Sequence, residues 1–286
     1  GGCDRTGDAV EALRRALAIN PGHGAAALNL GIALMKSQRA AEAYEVLQPL
    51  AAGGAGDTTC LTWLGHACVA LDRLEEAVDC YRRVEESAPG TVALPLALGE
   101  RDLGNLEASS AVLEAYLSDH PGHPVARFTL AQNRLMCGDF EEGFRLYESR
   151  WERPEMKRPE IDAPLWQGES LEGRRILIHG EQGFGDCIQF VRYAKLLAAR
   201  GATCGLLVRP RLKRLLAAAP GVDLAVDEAG EACFDYHVPM MSLPHLCKTR
   251  LETVPADIPY LQAEEALVEQ WRARLLWPGL KVGLIW

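Results

Sequence analysis

The 286-residue chain has no long apolar run. Its longest mainly apolar stretch, Ala25 to Met35, falls far short of the roughly 20 residues a membrane-crossing helix needs, so no membrane span is expected. No basic segment leading into a hydrophobic core opens the chain, and no initiator methionine precedes Gly1-Gly2. The start therefore reads as a fragment or a processed end without a secretory signal. None of the nine cysteines forms a Cys-x-x-Cys pair, which argues against zinc. Cys68, Cys80 and Cys137 fall at helical core spacing, so buried, reduced thiols and a cytoplasmic setting are expected. An excess of positive charge is missing as well: 30 Lys and Arg stand against 39 Asp and Glu, a formal net charge of −9. That balance argues against a general nucleic-acid binder, which must neutralise phosphates with a basic surface. At 48% hydrophobic and 24% charged residues, the composition is that of a soluble globular chain of about two domains.

The first half is periodic. Leu30-Gly31, Leu64-Gly65, Leu96-Ala97 and Leu130-Ala131 follow one another at intervals of 34, 32 and 34 residues. Twelve positions after each small residue stand Ala43, Ala77, Ser109 and Gly143, and four further on Leu47, Tyr81, Leu113 and Tyr147. Pro21, Pro89 and Pro121 close units in the same register. A 34-residue unit with small residues where two helices cross and a terminal proline resembles the tetratricopeptide repeat. Paired helices of this kind cannot bury their apolar stripes alone, so they stack into a solenoid. Four repeats follow a leading half-repeat whose helix, Asp8 to Ile19, carries Ala9, Leu13 and Ala16. Pro95 falls inside the third unit's first helix, which is expected to start near it, because proline is tolerated in a first turn. A concave face that binds a protein or glycan partner is what the repeats imply.

The repeats end near Trp151, and residues 1–152 are assigned to the solenoid. Pro154, Pro159 and Pro164 among charged residues make 153–165 an extended linker. From Arg174 the pattern changes to alternating strand and helix. Strands are expected over 175–179, 203–208, 223–226, 236–239 and 281–286, and helices over 186–200, 211–219 and 264–276. Short apolar strands alternating with helices specify a parallel sheet covered on both faces, giving an α/β lobe over 166–280 behind the all-α half.

The first crossover of that lobe carries the candidate chemistry. His179-Gly180-Glu181-Gln182-Gly183-Phe184-Gly185-Asp186 joins the first strand to its helix, a place where a helix N-terminus can receive an anion or polar ligand. It is not a phosphate loop of the Gly-Lys-Ser/Thr kind. Gly183-x-Gly185 opens a dinucleotide fingerprint, but Ile188 occupies its third glycine position. Arg209 stands after the second strand, where an arginine could suit a 2′-phosphate, so an NADP-dependent enzyme is an open alternative. Asp186 has two readings: a general base, and a helix N-cap. Cys187 to Val222 holds seven Lys and Arg and no acidic residue, either a local field for an anionic ligand or a solvated helix surface. His179, His237 and His245 lie at strand ends or just after them, where ligands of open sheets bind.

Gly180 to Tyr193, Asp235 to Pro244 and Lys281-Val282-Gly283-Leu284-Ile285-Trp286 together resemble bacterial tetratricopeptide-repeat glycosyltransferases. These are similar to the ADP-heptose:lipopolysaccharide heptosyltransferases, built as two facing Rossmann-like lobes in the GT-B arrangement. The resemblance implies an inverting, metal-independent transfer from a nucleotide-sugar donor, with no other cofactor. Its Gly-Asp pair falls on Gly185-Asp186 and puts Asp186 in the place of the base; beside it, His179, Gln182, Gly183, Phe184, Gly185, Arg209 and His237, in the first turn or at the strand ends, are the expected ligand-contacting set. It also makes 281–286 the start of a second lobe, without which no turnover is expected. The layout is similar too to the nucleocytoplasmic O-linked N-acetylglucosamine transferases, whose repeats hold peptide through asparagines. The matching positions here are Asn29, Trp63, Pro95 and Thr129, only one of them asparagine. The alternative function is a non-catalytic interaction scaffold.

Overall fold

The computed structural model describes residues 2–53, 57–181, 183–230 and 233–283, and side chains from residue 7 onward. The chain divides into two compact units, Gly1–Lys157 and Arg158–Trp286.

The first unit is helical: α1 (Gly2–Ile19), then the pairs α2 (Gly24–Lys36) and α3 (Ala40–Ala52), α4 (Thr58–Ala70) and α5 (Leu74–Ser87), α6 (Ala93–Asp102) and α7 (Leu106–Asp119), α8 (Pro124–Met136) and α9 (Phe140–Tyr147). α1 starts well before Asp8, where the sequence pattern begins it. Pro95 lies in the first turn of α6, where its missing N–H costs nothing. Three of the four first helices, α2, α4 and α8, start on side-chain caps: Asp57 Oδ1 accepts from the Cys60 N–H at 2.8 Å, and the His23 and His123 rings accept from Ala26 and Ala126 at 3.2 Å. The turn inside each pair passes through a left-handed residue at the same register, Gln38 (φ 58°), Asp72 (59°), Gly104 (84°) and Gly138 (82°).

Small residues set the approach within each pair. A Cβ on Gly31 would lie 2.5 Å from Leu47, and one on Gly65 would lie 2.4 Å from the Tyr81 ring. Leu47 and Tyr81 are themselves buried, so the glycines are the space those side chains fill. In the third repeat the crossing residue is Ala97, whose carbonyl accepts from Ser109 Oγ at 2.6 Å. Cys68 and Cys80 are buried, as their spacing implied, and Cys60 is buried too, but Cys137 is exposed: it caps the C-terminus of α8 instead of packing.

The second unit holds a four-stranded parallel sheet in the order β3-β2-β1-β4, with β1 (Arg175–His179), β2 (Thr203–Leu207), β3 (Leu224–Val226) and β4 (Tyr236–Pro239). Ile176, Leu177 and Ile178 of the inner strand β1 are fully buried, which is why that strand reads as a continuous apolar run. The helix expected over 186–200 is two helices, α10 (Phe184–Phe190) and α11 (Tyr193–Ala198). Between them Arg192 folds back, its Nε donating to the Gln189 carbonyl at 2.9 Å and its Nη1 to the Pro255 carbonyl at 2.7 Å. Gly221, at φ +85°, lets the chain pass against the backbone of Ala194, which a Cβ would meet at 2.5 Å. α12 (Pro210–Leu216), α13 (Leu243–Leu246) and α14 (Glu265–Arg274) complete the unit.

Two expectations are corrected here. The end of the 153–165 segment is not a free linker: Leu165 bridges His237 in parallel. The His237 N–H donates to the Pro164 carbonyl and the Trp166 N–H to the His237 carbonyl, each at 2.9 Å. The strand expected over 281–286 is absent over 281–283, and 284–286 lie outside the described residues.

Candidate functional site

In the helical unit, α2 adjoins α4 and α6 adjoins α8, so first helices of successive pairs form one layer. Their facing side chains come from repeat positions in register. Arg101 Nη1 donates to Gln132 Oε1 at 3.0 Å across neighbouring repeats. One repeat earlier, Trp63 meets His66 edge to face at 5.6 Å, and the His66 ring and the Tyr81 hydroxyl share a hydrogen bond of 2.7 Å. Burial holds His66 below the ordinary imidazole value of 6.5. Of the four matching positions, Asn29 is exposed, Trp63 and Pro95 are half-buried and Thr129 is buried. The Thr129 hydroxyl donates to the Val125 carbonyl of its own helix at 2.9 Å. No asparagine ladder lines this layer.

In the α/β unit, β1 ends at His179 and the crossover follows. Gly180 is required by packing, since a Cβ there would lie 2.8 Å from Cys187 Sγ. The Glu181 carboxylate accepts from the Met241 N–H at 2.9 Å, tying the crossover to the turn after β4. Its part in holding the loop has no local sequence signal, because its partner lies 60 residues away. Asp186 stands at the third position of α10, not at the N-cap. Its Oδ2 accepts from the Gly183 N–H at 3.1 Å. It is half-buried, and among the described residues its other oxygen makes no hydrogen bond.

Gly183 and Gly185 differ from Gly180. Among the described residues, a Cβ on Gly185 would meet nothing within 4 Å and one on Gly183 only Asp186 Oδ2 at 3.6 Å, and neither has a positive φ. Among those residues no packing requires glycine at either position and none fills the space over the turn. Beside it Phe184 is exposed, with the Arg209 guanidinium 5.5 Å from its ring centre. Gly183, Phe184, Gly185, Asp186 and Arg209 thus border the carboxyl end of the sheet. Gln182 lies outside the described residues. His179 and His237 do not face the opening: they are 2% and 8% exposed, and His179 Nε2 and His237 Nδ1 share a hydrogen bond of 3.1 Å. Burial, and secondarily the charge of Arg158, keeps His237 below the ordinary imidazole value. Most of the basic run is engaged by its own chain: Arg192 with Pro255, Lys195 with Asp257, Lys213 with Asp227 and Arg214 with Glu264. Among the described residues no group of three or more His, Cys, Asp or Glu could hold a metal ion, and no helix is long and apolar enough to cross a membrane.

Family patterns described as tetratricopeptide repeat match residues 4–59 and 58–91. The first unit is a tetratricopeptide-repeat solenoid, joined in sequence to a small unit with a parallel four-stranded sheet. Protein FlbA of Caulobacter vibrioides is 29% identical over 289 aligned residues, which cover 90% of this chain. The chain spans 48% of that protein's length. Among solved structures, the crystal structure of MamA protein has a TM-score of 0.49 at 18% identity, over 55% of this chain and 92% of that one. YrrB, described as a TPR protein with an unusual peptide-binding site, has a TM-score of 0.49 at 15% identity, over 53% of this chain and 80% of its own.

Proposed function

We propose that this protein is an interaction scaffold whose repeats hold a protein partner on the layer made by α2, α4, α6 and α8. The observation that carries the reading is that layer itself: four helices in register, with neighbouring side chains such as Arg101 and Gln132 meeting across repeats. A solenoid of this kind offers an extended surface suited to a chain or helix of another protein. A photo-crosslinking residue at Asn29 or Gln132, installed in cells that make the protein, tests it. Defined adducts from those positions, and none from Glu45 on α3, are expected; equal labelling from both helix layers refutes it.

A second reading is favoured by one observation, the open turn at Gly183 and Gly185 beside the half-buried Asp186. In this reading the second unit is a Rossmann-like lobe of a GT-B glycosyltransferase. Asp186 takes the proton of an acceptor hydroxyl while a sugar leaves its nucleotide, and the repeats recruit a protein or glycan acceptor in the cytoplasm. A positioned base contributes about 10²–10⁴ in rate. Thermal-shift measurements with UDP-, GDP-, ADP- and CMP-sugars, on this chain and on a polypeptide of the relative's length, test it. Saturable stabilisation by one donor, with transfer abolished by Asp186→Asn, supports it; no response in the longer polypeptide ends it.

A further inference from the structure

A cavity of about 500 Å³ lies within the α/β unit, between α11 and the segment from Glu252 to Tyr260. Small-molecule sites typically measure about 300–1,000 Å³. Arg192, Lys195, Leu196 and Ala199 border it at helical spacing along one side of α11, while Tyr193, Ala194 and Leu197 on the other side are buried. Its lining includes none of the described residues of the first crossover, so it is separate from the turn at Asp186.

The walls are mostly carbon. Leu196, Pro220, Val254, Pro255 and Pro259 contribute to them, and proline brings no N–H. The facing segment is tied to α11 at two points: Arg192 Nη1 donates to the Pro255 carbonyl at 2.7 Å, and Lys195 Nζ lies 2.5 Å from Asp257 Oδ2. These ties hold the cavity's two sides together.

Its charges are not equivalent. Lys195 and Asp257 are exposed and neutralise each other, and Glu252 is exposed to water. Arg192 is half-buried. Its Nε and Nη1 serve the neutral carbonyls of Gln189 and Pro255, and its guanidinium lies 5.1 Å from the centre of the Tyr260 ring. Among the described residues no carboxylate pairs with it, and its Nη2 has no hydrogen-bond partner. A partly desolvated guanidinium without a counter-charge gains more from an ionised acceptor than an exposed one does. Glu252 and Asp257 at the rim oppose a second negative charge on the occupant, which favours a monoanion over a phosphate.

We infer that this cavity binds a small monocarboxylic acid with an apolar body, its carboxylate on Arg192 and its carbon framework between α11 and the proline walls. The inference is independent of both readings above, since the occupant is neither a partner protein nor a sugar nucleotide.

Four probes that share a naphthalene body test it by ligand-observed NMR titration on the full chain: naphthylacetate, naphthylacetamide, naphthyl phosphate and naphthylethylamine. Naphthylacetate is expected to bind at least about tenfold more tightly than each of the others, the factor one charge-assisted hydrogen bond supplies. Arg192→Gln should bring naphthylacetate down to the level of the amide. Ala199→Trp, at an exposed position on the cavity's edge, should weaken acetate and amide alike by occupying the space, and it decides alone should Arg192→Gln fail to fold. Arg211→Gln, exposed on α12, should change nothing. Equal binding of acetate and amide, tightest binding of the phosphate or the amine, or no binding of any probe overturns the inference. So does unchanged binding in Ala199→Trp, or a loss in Arg211→Gln as large as that in Arg192→Gln, which would mean diffuse attraction to a basic surface.

Discussion

Gly65→Ala should destabilise the solenoid although it replaces glycine with the best helix former. The new methyl would lie 2.4 Å from Tyr81 Cε1 and 2.9 Å from two further ring carbons. That ring is 1% exposed, and its hydroxyl is held to His66 at 2.7 Å, so it cannot swing into solvent. Overpacking a closed core costs about 1–3 kcal/mol, and breaking the His66 bond adds about 1 kcal/mol. Against this, alanine gains about 1 kcal/mol over glycine in a helix interior. The net expectation is a loss of about 1–3 kcal/mol. Gly31→Ala, against the fully buried Leu47, should behave in the same way. Gly7→Ala is the internal control: it lies in α1 and, among the described residues, its methyl would meet nothing within 4 Å, so the helix gain is what is expected, about 0.5–1 kcal/mol of stabilisation. Urea unfolding followed by far-UV circular dichroism reads all three. If Gly65→Ala and Gly7→Ala raise the midpoint alike, close approach is not why glycine stands at the crossing.

Gln38→Gly should stabilise by up to about 1 kcal/mol, because Gln38 holds φ 58° and an L-residue in that region costs about 1–2 kcal/mol; an unchanged urea midpoint would count against strain there. His66 and His237 both titrate below 6.5 in the folded chain because burial disfavours their charged forms. The unfolded chain therefore binds more protons below about pH 6.5, and stability should be full above that value and fall as pH drops through it. Urea midpoints at pH 7.5 and 5.5 check this, and His237→Gln should flatten part of the dependence. Gly205→Ala should cost about 1–3 kcal/mol, since its methyl would come within 2.3 Å of the Phe234 ring; a thermal melt shows the loss.

The repeats were legible because a helix crossing imposes the same small residue and the same large partner every 34 residues or so, as Gly31 with Leu47 and Gly65 with Tyr81 show. The first crossover was legible because apolar strand, glycine turn and helix are local signals. What was hidden depends on contacts distant in sequence. Arg192, between the two short helices, bonds to Pro255, and Glu181 is tied to Met241. The two histidines, 58 residues apart, are buried and share a 3.1 Å hydrogen bond. Asp186 sits three positions deeper than its place before an amphipathic run suggested, because α10 begins at Phe184 with Gly183 as its N-cap.

The hook of Pro164 to Trp166 along β4 has a practical outcome for anyone dissecting the chain. An outer strand offers bare amides and carbonyls that recruit other chains, and here the incoming polypeptide occupies part of that row, anchored by Trp166, whose indole donates to the Glu169 carbonyl at 3.0 Å. A truncation that begins at β1, where regular structure starts, would strip this cover and invite aggregation. One that begins at Arg158, where the unit starts, keeps the seam closed.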